Sequence, residues 1–213
     1  LLKKDIQKIS DLNFLNIREL VAYYNISKKS DNDNVIFNIK FDKNKIHNLF
    51  YNRGISYSDI IDKDFFILPI FLKQNEIYIF SNNYFYENWN ELKNDDLLEF
   101  ILPLENIEII QSINKTKNNL LNLNPDLIFK EYVDKNIALV FIEDDIDKEK
   151  IYLKAKIQGK FLSKNLNIKK DINEKKSKNR VISLLKEEIT NLVKSENLID
   201  IRTPSFINVK FNL

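Results

Sequence analysis

Apolar and polar positions alternate along this chain with two periods, one near 3.6 residues and one of two, and their order predicts its elements. Leu12, Leu15, Ile17, Val21 and Tyr24 recur at helical spacing behind Ser10 or Asp11, either of which can cap, so residues 10–24 are predicted as a helix ended by the polar run 27–34. Val35, Phe37, Ile39 and Phe41 then alternate with Ile36, Asn38 and Lys40, the pattern of a strand that buries one face. Asp42 stands at the cap of a helix with Ile46, Leu49, Phe50 and Arg53 on one face. Gly54 follows, where a helix stop takes a left-handed residue.

Residues 65–72 are apolar on both faces, as in a central strand, and the turn 73–76 folds them onto 77–80 as a hairpin. Residues 84–92 hold the only tryptophan, Trp89, and read as a short helix laid on the sheet; Leu102, Pro103 and Leu104 close this half. Asn124 before Pro125 predicts a helix start, because Asn accepts a backbone N–H and Pro has none to lose; Leu127, Ile128, Glu131 and Tyr132 continue it. Residues 137–142 are again apolar on both faces. The acidic turn 143–147 returns the chain through Ile151, Leu153, Ala155 and Ile157, a second hairpin to which 161–168 adds a third strand. In the clearest helix, Asp171 and Glu174 have capping-box spacing, and Val181, Leu185, Ile189, Leu192 and Val193 share a stripe. Residues 198–202, a break at Pro204, and alternating Ile207, Val209, Phe211 and Leu213 predict a terminal strand.

Helix, buried strand, charged turn and returning strand thus occur twice, at 43–80 and 125–158, the order that two similar α-β-β halves produce. The expected organisation is an N-terminal α+β half over 1–111, a polar connection over 112–124 and a C-terminal α+β half over 125–213. The expected class is α+β, with mixed, mainly antiparallel sheets and helices packed on one face.

Composition narrows the chemistry. A chain of 213 residues, 44% hydrophobic, buries a core without metal or disulfide staples. Its 2 glycines exclude G-x-G-x-x-G and the P-loop, so no cofactor and no cofactor-binding residue is expected. With 0 cysteines there is no thiol nucleophile, iron–sulfur ligand or Cys-based zinc site. Lys+Arg 33 against Asp+Glu 31, a net charge of +2, gives no field to draw a polyanion, so no nucleic-acid partner is expected. Abundant Lys, Asn and Ile with scarce Gly, Ala and Arg follow AT-rich codons, so the lysines say little about partners. The longest apolar run, 65–72, falls far short of the roughly 18 residues of a membrane span, and none is expected. A start at Leu1 with no Met points to a processed or trimmed N-terminus that a targeting peptide could have preceded.

Each candidate for chemistry has a plainer competitor. His47 would need Ser56 or Ser58 and Asp59 to fold back onto it without a nucleophile elbow, so a partly exposed helix histidine is favoured. Glu143, Asp144 and Asp145, with Asp147, follow a buried strand, where carboxylates could hold Mg²⁺ in a metal-dependent hydrolase. Lys148 and Lys150 neutralise that run, and a solvated turn is favoured. Asp59, Asp62 and Asp64 form a similar cluster that reads as the end of a loop, and an EF-hand from Asp31 fails because Ile36 stands in place of its glycine. Lys169, Lys170, Lys175, Lys176, Lys178 and Arg180 could serve a nucleic-acid-binding module, but no aromatic lies among them to stack a base, and an exposed helix start is favoured. Tyr84, Tyr86 and Trp89, with Phe80 and Phe85, are the binding-surface candidates, since Tyr and Trp dominate hot spots; a helix covering a sheet would bury the same residues. Catalytic residues are expected to be absent, and an enzyme is the less favoured class.

The order VIFNIKFDKNKIHNLFYNRGISYSD, FFILPIF, a turn, EIYIFS and YENWNEL resembles an uncharacterised family of exported proteobacterial proteins, a domain of unknown function. In that family a strand ending in Phe-Asp runs into a helix, a Gly, a short loop and a buried strand. Phe41, Asp42, Gly54 and Trp89 match it; Lys63-Asp64 stands where better-known members carry Arg-Pro, and the small-residue-rich N-terminal region is absent. The residue bias resembles small-genome marine alphaproteobacteria. The second half looks like the small α+β modules at the front of envelope proteins such as the Tol-system propeller protein or curli and flagellar assembly factors. The resemblance implies a periplasmic location and brings no catalytic residues. The expectation is a non-enzymatic protein that works through protein contacts in envelope maintenance or assembly.

Overall fold

The computed structural model describes residues 3–28, 35–58, 60, 62–92 and 97–199. The terminal strand expected at 207–213, the break at Pro204, Asp31 and Asp59 lie outside them. The chain forms two compact units, one of residues 1–59 with 197–213 and one of 60–196.

In the first unit a 3-10 helix, Lys3–Ile9, precedes α1 (Phe14–Leu20), β1 (Val21–Lys28), β2 (Val35–Phe41), α2 (Lys43–Asn52) and the short β3 (Tyr57–Ser58), which pairs antiparallel with β10 (Leu198–Ile199). The helix expected over 10–24 is corrected: it starts later and stops at Leu20. Asn13 and Asn16 cap each other reciprocally, the Asn13 side chain accepting from Asn16 N at 2.9 Å and Asn13 N donating to the Asn16 side chain at 3.2 Å. From Val21 the β-branched and aromatic residues take up a ladder with β2, which is available only in the folded chain. Asp42 caps α2 as expected, its Oδ1 accepting from Asn44 N at 2.9 Å and Lys45 N at 3.1 Å. Gly54 sits at φ +60, the left-handed conformation that follows a helix end at little cost only for glycine. Arg53 locks this corner, its guanidinium donating to Lys8 O at 2.6 Å and to the Asp11 carboxylate.

The second unit is built on one six-stranded sheet. Its strands are β4 (Asp64–Lys73), β5 (Glu76–Tyr78), β6 (Glu99–Ile101), β7 (Asn136–Asp144), β8 (Lys148–Ile157) and β9 (Lys160–Lys169). They run in the order β5-β4-β7-β8-β9, with β6 also on β4. The two strands predicted as apolar on both faces, β4 and β7, pair directly and in parallel, so the two expected hairpins join in one sheet. β5 lies beside 71–73 and β6 beside 64–66 of β4, and Pro69 falls in the gap between them, where no ladder donor is missed. There the buried Asn83 side chain donates to Pro69 O and Ile79 O, each at 2.9 Å, and accepts from Phe85 N at 3.1 Å. One asparagine thereby ties β4, the β5 turn and the start of α3 (Tyr84–Asn88) together.

The α+β class with mainly antiparallel pairing is what the structure has, with helices distributed over both faces of the sheet rather than one. Alternate residues of β4 and β7 feed two cores. Phe65, Ile67, Ala138 and Val140, with Leu153 and Ala155 of β8, pack under α3 and α6 (Glu174–Glu196). Phe66, Leu68, Leu139 and Phe141 pack under α4 (Ile107–Lys115), α5 (Pro125–Ile128) and two 3-10 segments, Lys117–Asn122 and Lys130–Tyr132. Residues 112–124, read above as a polar connection, belong to this second layer and bury Ile113, Leu120 and Leu123. The stripe of α6 docks as predicted, burying Val181, Leu185, Ile189 and Val193. Its cap is Asn173, whose side chain accepts from Lys176 N at 3.0 Å, while Asp171 N donates to Ser177 Oγ at 3.2 Å.

Candidate functional site

The aromatic cluster offered above as a binding surface is core. Phe85 and Trp89 are fully buried, and the half-buried tyrosines have committed hydroxyls: Tyr84 donates to Asn179 Oδ1 at 2.6 Å and Tyr86 to Pro103 O at 2.8 Å. The Lys178 ammonium lies 5.2 Å from the Tyr84 ring, and that of Lys186, donating to Leu92 O at 2.7 Å, lies 5.9 Å from Trp89. His47 stacks on Tyr57 with ring centroids 4.4 Å apart. Asp62 pairs with Lys135 at 3.0 Å.

The acidic turn is held by lysines. Asp144, at the end of β7, is bound by Lys170 and lies 3.4 Å from Lys73; Asp145 lies 3.0 Å from Lys150; Glu143 is exposed. No three His, Cys, Asp or Glu among the described residues are placed to hold a metal ion. Within the basic stretch, Lys170 is used on Asp144, Lys178 lies 2.7 Å from Glu174 and Lys176 3.9 Å from Asp171, so much of its charge is spent locally.

One residue of this region was not singled out from the sequence. Glu149 is directly opposite Asp144 in the β7–β8 pair and is 2% exposed, and its Oε2 has no hydrogen-bond partner among the described residues. The alternation itself carried the signal: Glu149, Ile151, Leu153, Ala155 and Ile157 share the inward face of β8. Burial, and then the Asp144 charge, push the Glu149 carboxyl up to about 7, against the pull of Lys170, Lys178 and Lys73. Burial also raises Asp144, but hydrogen bonds and charges from Lys170 and Lys73 outweigh it and hold that carboxyl below its usual range. A cavity of about 240 Å³ opens here, with Lys73, Asp144, Glu149, Lys170 and Ser177 in its wall. A carboxyl titrating near neutrality is suited to general acid–base work, yet the Ser177 hydroxyl in the same wall accepts from Asp171 N and the neighbouring Asp144 carboxylate is engaged by lysines.

The other distinctive region is the β1–β2 ribbon. In its register Tyr24 faces Ile39, Ile26 faces Phe37, and Phe41 and Val35 continue the same side, Val35 paired with Lys28 at the ribbon's end, while Tyr23, Asn25, Ser27, Ile36, Asn38 and Lys40 take the other. The strand expected to bury one face does not: every residue of β2 is exposed, Phe37 at 63% and Ile39 at 54%. The apolar side of the ribbon is therefore a continuous hydrophobic face open to water. Phe14 and Leu15 of α1, just before it in the chain, are exposed as well.

The fold defines an α+β protein with a helix-sandwiched mixed sheet in one unit and an amphipathic ribbon in the other. No protein-family model, curated protein or solved structure matches the chain significantly. No helix among the described residues is long and apolar enough to cross a membrane.

Proposed function

We propose that this is a non-enzymatic protein of the periplasm that works through protein contacts in maintaining or assembling the cell envelope, and that it makes those contacts with the apolar face of the β1–β2 ribbon. The observation that carries this reading is the face itself: Tyr24, Ile26, Val35, Phe37, Ile39 and Phe41 all lie on one side and are all exposed. Contiguous apolar patches beyond a few hundred Å² mark interaction sites on soluble domains, and a lone two-stranded ribbon is marginal in water until its apolar side is covered. The location rests on the family resemblance through Phe41, Asp42, Gly54 and Trp89. The acid–lysine cluster favours catalysis less, because its carboxylates other than Glu149 are largely engaged by lysines. The test is a photo-crosslinking amino acid placed at Phe37 or at Asn38, on opposite faces, in cells expressing the protein from its own full-length gene. Protein adducts from position 37 and few from 38, recovered with the periplasmic fraction, are expected; equal yields from the two positions would sink the reading, and recovery in the cytosol would remove the location.

A further inference from the structure

We infer that the ribbon's apolar face is a self-association surface and that its partner is the same face of a second copy of this chain. This rests on the contact reading above and names the partner. The six side chains expose from 42% (Phe41) to 65% (Tyr24) of their surface. At roughly 150–250 Å² for a large side chain this is on the order of 600 Å². A standard interface takes about 800 Å² from each partner, so the face alone supplies most of one.

The chemistry of the face narrows the occupant. Its centre, Tyr24, Ile26, Phe37 and Ile39, has no charged group and one polar atom, the Tyr24 hydroxyl at the end of a ring, while Lys28 pairs with Val35 at one end of the ribbon, so the centre offers nothing to an acidic, basic or strongly hydrogen-bonding partner. What that centre fits is another apolar, twisted β surface of the same width. Two β faces pack with their strands about 30° apart and side chains interdigitated, and a twofold axis through the ribbon sets Phe37 and Ile39 of one copy against those of the other. Such an isologous pair covers both copies' exposed patches at once and leaves the polar sides, with Asn25, Asn38 and Lys40, facing water. Two stacked ribbons make a four-stranded sandwich, which reaches the size at which a sheet holds itself together.

Sedimentation velocity of the full chain from about 1 to 100 μM tests this. A monomer–dimer equilibrium within that range is expected, with Phe37→Asp weakening it at least tenfold and Asn38→Asp, on the other face, leaving it unchanged. Ile39→Ser serves as the second interface variant should Phe37→Asp lose its circular dichroism spectrum. A chain that stays monomeric throughout, or face variants that associate like the wild type, overturn the inference. A crosslinker at position 37 separates the two levels: adducts to a different protein from a monomeric chain overturn the second copy while leaving the contact reading, and no adduct of any kind overturns both.

Discussion

β2 and β8 carry the same kind of sequence and meet opposite fates. Val35, Phe37, Ile39 and Phe41 alternate as strictly as Ile151, Leu153, Ala155 and Ile157. On β8 the apolar side lies beneath α6 and is fully buried, while the other side sends Lys156 to Asp126 at 2.8 Å and Lys154 to Leu121 O at 3.3 Å. On β2 the apolar side stays open. Alternation states that a strand needs a cover on one side, but a strand cannot say whether its own chain provides one. A long amphipathic helix follows β9 in sequence and closes over β8; the ribbon has no such neighbour among the described residues, which is why the cover is sought in another molecule.

The sharpest way to break this comparison is a matched pair of truncations. Leu153→Ala is expected to cost about 2–5 kcal/mol, since it leaves a cavity between β8 and α6, whereas Ile39→Ala should change stability by no more than about 0.5 kcal/mol in dilute solution. Urea denaturation reads both, and equal losses would mean that the ribbon face is covered after all. Raising the chain concentration sharpens it further, because only the Ile39 cost should grow as copies associate.

Next in size is the polar intruder on the buried side of β8. A carboxyl whose folded value lies above its unfolded value of 4.5 stabilises the fold fully below 4.5, and that contribution disappears as pH rises through about 7. Glu149→Gln should therefore gain up to about 3 kcal/mol over wild type at pH 8 and nothing near pH 4, read from urea midpoints across that range. A wild type whose stability is flat between pH 4.5 and 7 would refute the buried titration.

Asp144→Asn comes below it. Loss of the lysine-held carboxylate should cost about 1–3 kcal/mol at pH 7 and move the Glu149 transition to lower pH, since the Asp144 charge is one of the causes that raise it. Asp144 has the opposite sign of linkage. Its folded value is depressed, so its contribution is present above 3.8 and lost only as pH falls through the folded value, which keeps the two windows separable. The smallest effect belongs to surface pairs such as Lys160 with Glu196 at 3.0 Å, where Glu196→Gln should cost less than about 0.5 kcal/mol and less still in high salt.

Much of this molecule was legible in its pattern. The cap at Asp42, the left-handed Gly54, the two-sided strands β4 and β7, the β8–β9 meander and the stripe of α6 all follow from local rules of capping, turn geometry and periodicity. The misreadings share one cause. Val21 and Tyr24 fit a helical spacing as well as a strand, and only the ladder to β2 decides between them. Asn106, Ile109, Ile110 and Ile113 announce α4, which begins in the expected N-terminal half and runs into the 112–124 stretch read as a connection, but the short helix gains its stability from packing on the sheet. Tyr84, Tyr86 and Trp89 were ambiguous because a hot spot and a buried helix face use the same residues. Glu149 was overlooked because a single acid in an alternating strand stands out only when its inward register is taken seriously.

The sequence by itself determined which segments are helix and strand over most of the chain, and which whole classes of site are closed to a protein with two glycines and no cysteine. Those depend on backbone conformation and on chemical groups, both local. Only the tertiary structure decided that β4 and β7 run side by side in parallel, that helices cover both faces of their sheet, that Glu149 is sealed beside Asp144 and that the face of β2 is left bare. Each of these is set by which surfaces, far apart in the chain, remove the most apolar area from water together, and hydrophobic burial is a property of pairs of surfaces rather than of any one of them.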